Sequence, residues 1–291
     1  MEVAQTRDAL RAAGNAWRAA GESVAFVPTM GNLHAGHLAL VAAAAGKARR
    51  VVVSIFVNPL QFAPGEDFDT YPRTLDKDLA ALAAAGVDAV FAPTVDEMYP
   101  TGPAPATRVR VNGLSDILCG RSRPGHFDGV TTVVAKLFNM VRPDTAIFGE
   151  KDYQQLAVIR RMVADLCFPV RVVGHPTQRE GDGLAMSSRN QYLTEDERAI
   201  APELYRTLET AADALAGGAE KEIEARIVAI QQAAMENLRG FGFEPEYFEI
   251  REAGTLEAPG QGSRGLVILA AARLGSARLI DNLRVDLIIG S

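Results

Sequence analysis

The sequence predicts an α/β protein in which a Rossmann-like, doubly wound parallel sheet is followed by a smaller α+β domain. Three observations carry that expectation. Short β-rich runs alternate with helical segments through the first half, the pattern of parallel strands joined by crossover helices. A polar, Gly-containing stretch from Gln178 to Asn190 interrupts the pattern, and two long helical runs followed by three strand-like runs close the chain. A length of 291 residues suits this plan, because single cores split near that size.

Val24 to Val27, Val51 to Val57, Val87 to Phe91 and Thr145 to Phe148 read as buried strands. Between them Leu38 to Arg50 and Leu75 to Ala85 have helical composition. A further strand, Val170 to Val173, ends at Gly174 and Pro176, so the boundary is expected there: residues 1–176 form the sheet domain and residues 177–291 the smaller one, with Gln178 to Asn190 as a hinge. Beyond it Glu195 to Ala216 and Glu220 to Leu238 read as two helices, and Glu246 to Arg251, Gly265 to Ala271 and Ala277 to Leu283 as strands. Ligands of doubly wound sheets lie beyond the carboxyl ends of the strands, so the loops after Val27, Val57 and Phe148 are expected to converge on one crevice.

Composition narrows the function. Thirty Lys+Arg against thirty-six Asp+Glu give a net charge of −6 with no basic tail, which argues against bulk binding to nucleic acid. A hydrophobic fraction of 48% and a charged fraction of 23% supply an ordinary globular core. Cys119 and Cys167 are far apart, with no partners at metal-ligand spacing, so neither a disulfide framework nor a zinc site is signalled. No apolar run reaches membrane-spanning length, and a cytoplasmic location without a membrane partner is expected.

The sharpest local feature is Pro28-Thr29-Met30-Gly31-Asn32-Leu33-His34-Ala35-Gly36-His37, between the first strand and the first crossover helix. Unsatisfied N–H groups at a helix start attract phosphate, and imidazoles there can bond the charge that develops on a phosphorus under attack. The alternative is that His34 and His37 only cap the helix. Phe148-Gly149-Glu150-Lys151-Asp152-Tyr153-Gln154-Gln155 also joins a strand to a helix; Lys151 can neutralise a polyphosphate and Gln155 can meet a substrate hydroxyl or carboxylate, unless the run is a solvated turn. Gly183-Leu184-Ala185-Met186-Ser187-Ser188-Arg189-Asn190 offers two hydroxyls and a guanidinium suited to closing over phosphates, although such a triplet is common in inert loops. After the second strand, in Val57-Asn58-Pro59-Leu60-Gln61-Phe62, Gln61 can read a small polar substrate. Tyr71-Pro72-Arg73-Thr74 precedes a helix in which Asp76 reads as a dipole partner and Asp78 as a candidate magnesium ligand. Arg123 and His126, in Arg123-Pro124-Gly125-His126-Phe127, can meet a carboxylate, unless the segment is a surface turn.

In this order and spacing, together with the closing Gly275-Ser276-Ala277-Arg278-Leu279-Ile280-Asp281-Asn282, these segments resemble the pantothenate synthetase (pantoate-β-alanine ligase) family over nearly the whole chain. The His-Ala-Gly-His motif alone marks only the wider nucleotidylyl-transferase superfamily. The resemblance implies that pantoate attacks the α-phosphorus of Mg-ATP to give pantoyl adenylate, and that β-alanine then displaces AMP. It implies that Met30 to His37, Gly149 to Asp152, Gln178 and Met186 to Arg189 bind ATP. Within that set it implies that His37, His34, Lys151, Ser187, Ser188 and Arg189 are catalytic, and that Met186 to Arg189 form the counterpart of a mobile phosphate-binding loop. Gln61 and Gln155 hold pantoate, Asn58 and Tyr71 lie near the active site, and Arg123 and His126 lie on the β-alanine side. No tightly bound organic cofactor is implied, and a homodimer is. The sequence departs from the family at Gln178, usually aliphatic, where a main-chain contact needs no particular side chain. Lys77 stands where some relatives carry an acidic residue, which weakens any two-carboxylate magnesium site there, whether Asp78 reaches the ion directly or through water. From the residues alone, a nucleotidylyl transferase that stops after one step and a non-catalytic nucleotide sensor stay open.

Overall fold

Six strands, β1 (Glu2–Ala4), β2 (Val24–Thr29), β3 (Arg50–Ile55), β4 (Ala89–Phe91), β5 (Thr145–Gly149) and β6 (Arg171–His175), form one parallel sheet in the order β1-β4-β3-β2-β5-β6. The computed structural model describes residues 1–63, 65–217, 223–260 and 262–287. Because the chain builds outward from β2 through β3 to β4 and then resumes on the other side with β5, the strand order reverses between β2 and β5. That reversal is the switch point at which such sheets bind ligands.

Side chains alternate across each strand, and the two faces of the sheet carry different helices. Ala25, Val27, Val51, Val53, Val90 and Ile147 pack with Val41 and Ala44 of α2 (Ala35–Ala45) and Leu82 of α3 (Leu75–Ala84). Phe26 and Phe148 meet edge-on the ring of Phe138, on α6 (His126–Val141). Helix α1 (Arg7–Ala19), capped by the Thr6 hydroxyl, packs against α6, and the single turns α4 (Val95–Met98) and α5 (Cys119–Ser122) lie between.

By its contacts the chain separates into two compact units, Met1–Glu150 with Val158–Pro176, and Lys151–Ala157 with Thr177–Ser291. The second unit claims the start of α7 (Tyr153–Asp165) through two long-range bonds: Asn282 Nδ2 donates to the Lys151 carbonyl at 2.8 Å and Tyr153 OH to the Ala253 carbonyl at 2.8 Å. Its core lies between an antiparallel sheet, β7 (Glu244–Glu252), β8 (Gly265–Leu274) and β9 (Ala277–Asp286), and the helices α9 (Glu203–Ala216) and α10 (Ile223–Gly240). Leu204, Leu208, Ile227, Leu238, Ile250, Ile268 and Leu279 meet there.

Several elements differ from expectation. The helix expected over Glu195 to Ala216 is two, α8 (Glu195–Ile200) and α9, because Pro202 has no N–H to continue the ladder and instead starts the second helix. The crossover helix after β2 begins at Ala35 and ends at Ala45, with Arg50 already in β3. The expected start of α10 at Glu220 lies outside the described residues, as do residues 288–291 of the second domain. The stretch expected as a hinge holds a hairpin: an isolated bridge joins Arg179 to Ala185, Glu180 N–H bonds the Leu184 carbonyl at 2.8 Å, and Met186 N–H bonds the Gln178 carbonyl at 2.9 Å. Among the described residues no helix is long and apolar enough to cross a membrane.

Candidate active site

The loop after β2 is shaped by an internal anion. Gly31, at φ +84°, and Asn32, at φ +51°, turn the chain so that successive N–H groups face one way. Asn32 and Leu33 donate to the two oxygens of Asp78 at 2.9 and 2.8 Å, and the Thr74 hydroxyl adds a third bond at 3.1 Å. A Cβ on Gly31 would come within 3.0 Å of the same carboxylate, so glycine is required on two counts. Asp78 is 1% exposed. The carboxylate considered for magnesium thus holds the loop in shape, and three of its roughly four acceptor positions are already engaged.

From that loop the chain enters α2 through a capping box made of imidazoles. His34 is the N-cap, and its Nδ1 accepts the Gly36 N–H at 3.1 Å; His37 Nδ1 accepts the His34 N–H at 3.3 Å. Capping and phosphate chemistry, the two alternatives for this pair, are therefore compatible. A ring nitrogen that accepts cannot carry the proton, so both neutral rings are fixed with N–H on Nε2. The ring centroids lie 4.1 Å apart. The result is two imidazole donors side by side at a helix start, beside the switch point of the sheet.

The adjacent strand delivers Gln61, in the 3-10 turn Pro59–Gln61 after β3. Its Nε2 donates to Met30 Sδ at 3.1 Å and its Oε1 accepts from Asn58 Nδ2 at 3.2 Å. Asn58, 1% exposed, also donates to the Gly129 carbonyl at 3.1 Å and accepts from Leu60 N–H and from Tyr99 OH, at 3.3 and 2.9 Å. All four of its bonding positions are used, and it acts as a bracket for Gln61. Burial pushes the Tyr99 phenol far above its ordinary range, so that it stays a donor. Gly129 lets the turn seat against α6: a Cβ there would lie 2.2 Å from the Leu60 carbonyl oxygen and 2.6 Å from Gln61 N.

Arg123 meets a carboxylate of the protein itself, that of Glu66. Arg123 Nε and Nη2 bond the two Glu66 oxygens at 2.6 Å each, and Nη2 reaches the Gln61 carbonyl at 3.3 Å. His126 Nδ1 lies 2.8 Å from that same carbonyl, which places its proton on Nδ1 and lets Nε2 accept from Arg123 Nη1 at 3.1 Å. Both residues therefore grip the backbone of Gln61. Burial acts to raise the Glu66 carboxyl, but the Arg123 hydrogen bonds and charge outweigh it and hold it below the usual carboxylate range. Tyr71, 6% exposed, packs edge-on against Phe62.

In the second unit, Lys151 sits in the 3-10 turn Glu150–Asp152, with its ammonium 3.8 Å from the Asp152 carboxylate. Ser187 caps the 3-10 turn Ser188–Tyr192 by accepting the Arg189 N–H at 3.3 Å. A small cavity is lined by Lys151, Ala185, Ser187, Asn190 and Asp281, so the Lys151 segment and the Ser187 turn come together within this unit. Asn190 Oδ1 is a buried acceptor without a partner among the described residues. Asp281 binds Arg179 through both oxygens; burial pushes its carboxyl up from the usual range while the guanidinium and the Asn282 N–H pull the other way. Gln155 is partly buried and Gln178 is exposed, and it is the neighbouring Gln154 that is buried, at 4%. Sequence reasoning missed Glu66, Tyr99, Gly129 and Arg179, and gave no role to Asp281 and Asn282 within the closing segment it singled out.

Among the described residues no group of three or more His, Cys, Asp or Glu side chains is placed to hold a metal ion. A sequence model of the pantoate-beta-alanine ligase family matches residues 2–284. The pantothenate synthetases of Stutzerimonas stutzeri and Thioalkalivibrio sulfidiphilus are each 58% identical to this chain over 287 residues, covering 99% of it and 99% of themselves. The crystal structure of pantothenate synthetase from Thermus thermophilus superposes with a TM-score of 0.86 at 49% identity, covering 97% of this chain and 99% of that one. The pantoate-beta-alanine ligase of Francisella tularensis, crystallised with beta-gamma ATP and beta-alanine, gives a TM-score of 0.78 at 33% identity and 97% coverage of both chains.

Proposed function

The chain belongs to the pantoate-beta-alanine ligase family, C–N bond-forming ligases, and on that premise we propose that it condenses pantoate with β-alanine through a pantoyl adenylate formed from ATP. The observation that carries the mechanism is the imidazole pair at the head of α2, whose Nδ1 atoms both accept backbone N–H groups, from which it follows that each ring donates through Nε2. A carboxylate is already a nucleophile at neutral pH, so the first step asks for positioning and charge neutralisation more than for a base. A pantoate oxygen attacks the α-phosphorus, the bond from that phosphorus to the bridging oxygen breaks, and pyrophosphate leaves. The β-alanine nitrogen then attacks the acyl carbon, AMP leaves with the former carboxylate oxygen, and the amine proton passes to solvent.

In this reading His34 and His37 donate to phosphate oxygens on which charge builds, Lys151 and Arg189 neutralise the polyphosphate, and Ser187 and Ser188 donate to it. Gln61, held from both its side chain and its carbonyl, orients pantoate together with Gln155. Magnesium enters with ATP as part of the substrate. The reading includes a homodimer, checked by light scattering, and a cytoplasmic location.

Exchange of labelled pyrophosphate into ATP without β-alanine tests the proposal. Exchange is expected with pantoate and absent without it, and AMP release is expected to rise when β-alanine is added. Exchange that ignores pantoate, or AMP release that ignores β-alanine, overturns the ligase reading.

A further inference from the structure

Asp281 and Asn282 are neighbours on β9, and their side chains fix two separate stretches of chain. The Asp281 carboxylate, 4% exposed, accepts from Arg179 Nη1 at 2.6 Å, Arg179 Nη2 at 2.9 Å and the Asn282 N–H at 2.8 Å. Arg179 in turn lies over the Tyr205 ring at 3.6 Å and donates to the Gly183 carbonyl at 3.0 Å, so it ties down one arm of the hairpin and its turn together. The other arm leads through Met186 into Ser187, and Asn190 Nδ2 bonds the Ala185 carbonyl at 3.0 Å. Asn282 Nδ2 meanwhile donates to the main-chain carbonyl of Lys151.

We propose that Asp281 and Asn282 are positioning residues for phosphate binding, Asp281 acting through Arg179 on the Ser187–Arg189 segment and Asn282 acting on the backbone of Lys151. The proposal rests on the reading of Lys151, Ser187, Ser188 and Arg189 as phosphate contacts. A buried ion pair is a poor stabiliser, because desolvation offsets most of its Coulombic gain. What this pair supplies is geometry: a bidentate fork allows one register of hairpin against strand, whereas an apolar contact would allow sliding. The cavity lined jointly by Lys151, Ser187, Asn190 and Asp281 is where both tethers end. The Glu246 carboxylate, more exposed than that of Asp281, pairs with Arg278 at 2.8 Å and with Arg273 at 3.7 Å on the same sheet, which makes it the control.

The test compares Asp281→Asn, Asn282→Ala and Glu246→Gln by pantoate-dependent pyrophosphate exchange, calorimetric binding of Mg-ATP, and thermal melts. Displacing a positioned group by an ångström can cost on the order of 100-fold, so Asp281→Asn and Asn282→Ala are expected to lose about tenfold or more in kcat/KM for ATP. Their KM for pantoate stays within about twofold, and Glu246→Gln keeps wild-type ATP parameters even if it melts lower. Lower melting temperatures with intact ATP kinetics in both β9 variants would reveal a merely structural role and overturn the proposal. Should Asp281→Asn not fold, Asn282→Ala decides, since it removes the hydrogen bond to the Lys151 carbonyl and leaves the ion pair in place. Lys151→Ala is run in parallel. If it too keeps wild-type ATP kinetics, the phosphate-site reading fails and the positioning proposal falls with it; if it alone loses them, only the positioning proposal fails.

Discussion

The histidine pair and the Lys151 segment both lie where a strand of the parallel sheet gives way to a helix, yet they are held by opposite means. His34 and His37 are oriented by hydrogen bonds that reach two and three residues along the chain. Lys151 is held through its carbonyl by a residue 131 positions away, and the hairpin before Ser187 by an ion pair spanning 102. One group of candidate residues carries its geometry in a local motif; the other inherits it from the assembled second unit. Remote substitutions should therefore damage the second group, whereas the first depends on a distant residue only through Asp78, which shapes the loop leading into His34.

The largest effects belong to the groups that would touch phosphate. His37→Ala and Lys151→Ala are each expected to lose ~2–3 kcal/mol of transition-state stabilisation, about 100-fold in kcat/KM for the exchange reaction. His34→Ala separates the two imidazoles, because His34 is also the N-cap of α2 and its loss should take about 1 kcal/mol of stability as well. Denaturant melts alongside the kinetics check this. Near-normal turnover in a folded His37→Ala enzyme would remove the histidines from the chemistry and leave them as caps.

Gln61 departs further from the local rule in the first unit, because its bracket Asn58 bonds the Gly129 carbonyl 71 residues away. Gly129→Ala sharpens the comparison. The added methyl would meet three backbone atoms of Leu60 and Gln61, which cannot swing aside, so the turn Pro59–Gln61 must move off α6. The expected outcome is a rise of about tenfold in KM for pantoate with the KM for ATP little changed, measured in the exchange assay. An equal loss for both substrates would mean that the turn supports the fold and not pantoate.

This division also explains what could be read in advance. The parallel sheet, its crossover pattern and the crevice-forming loops follow from β-rich runs ending in polar turns, and the structure has β2, β3 and β5 side by side with their carboxyl ends on one edge. Helix α6 escaped because its run Val130-Thr131-Thr132-Val133-Val134 is β-branched, a composition that favours strand, and because most of its residues are buried. Within the candidate site, histidines in a strand-to-helix turn announce themselves by residue type and spacing. Glu66, Gly129, Arg179, Asp281 and Asn282 do not, since an acid, a glycine or an amide gains its meaning only from a partner that folding brings up. Arg123 shows the same limit: its residue type pointed to a carboxylate, and nothing local said that the protein supplies it in Glu66.

The smallest expected effect comes from that carboxylate. Glu66 has its folded-state pKa below the ordinary value of 4.5, because Arg123 favours the charged form more than burial disfavours it. A depressed carboxylate pKa means that the unfolded chain binds the extra proton first. The stabilisation is therefore fully present above the ordinary value and is lost as pH falls through the lower, folded one. In Glu66→Gln the fork from Arg123 meets a neutral amide at every pH, so this source of acid sensitivity disappears. At neutral pH the variant should be less stable by on the order of 1 kcal/mol, the size of a partly buried ion pair with good geometry. As pH drops below about 4.5 the gap between the two proteins should close, because wild type loses what the variant never had. Urea midpoints at neutral pH and at about pH 3.5 measure it. A gap that stays constant would show that Arg123 and Glu66 act by shape alone, and that the grip on the Gln61 carbonyl does not depend on charge.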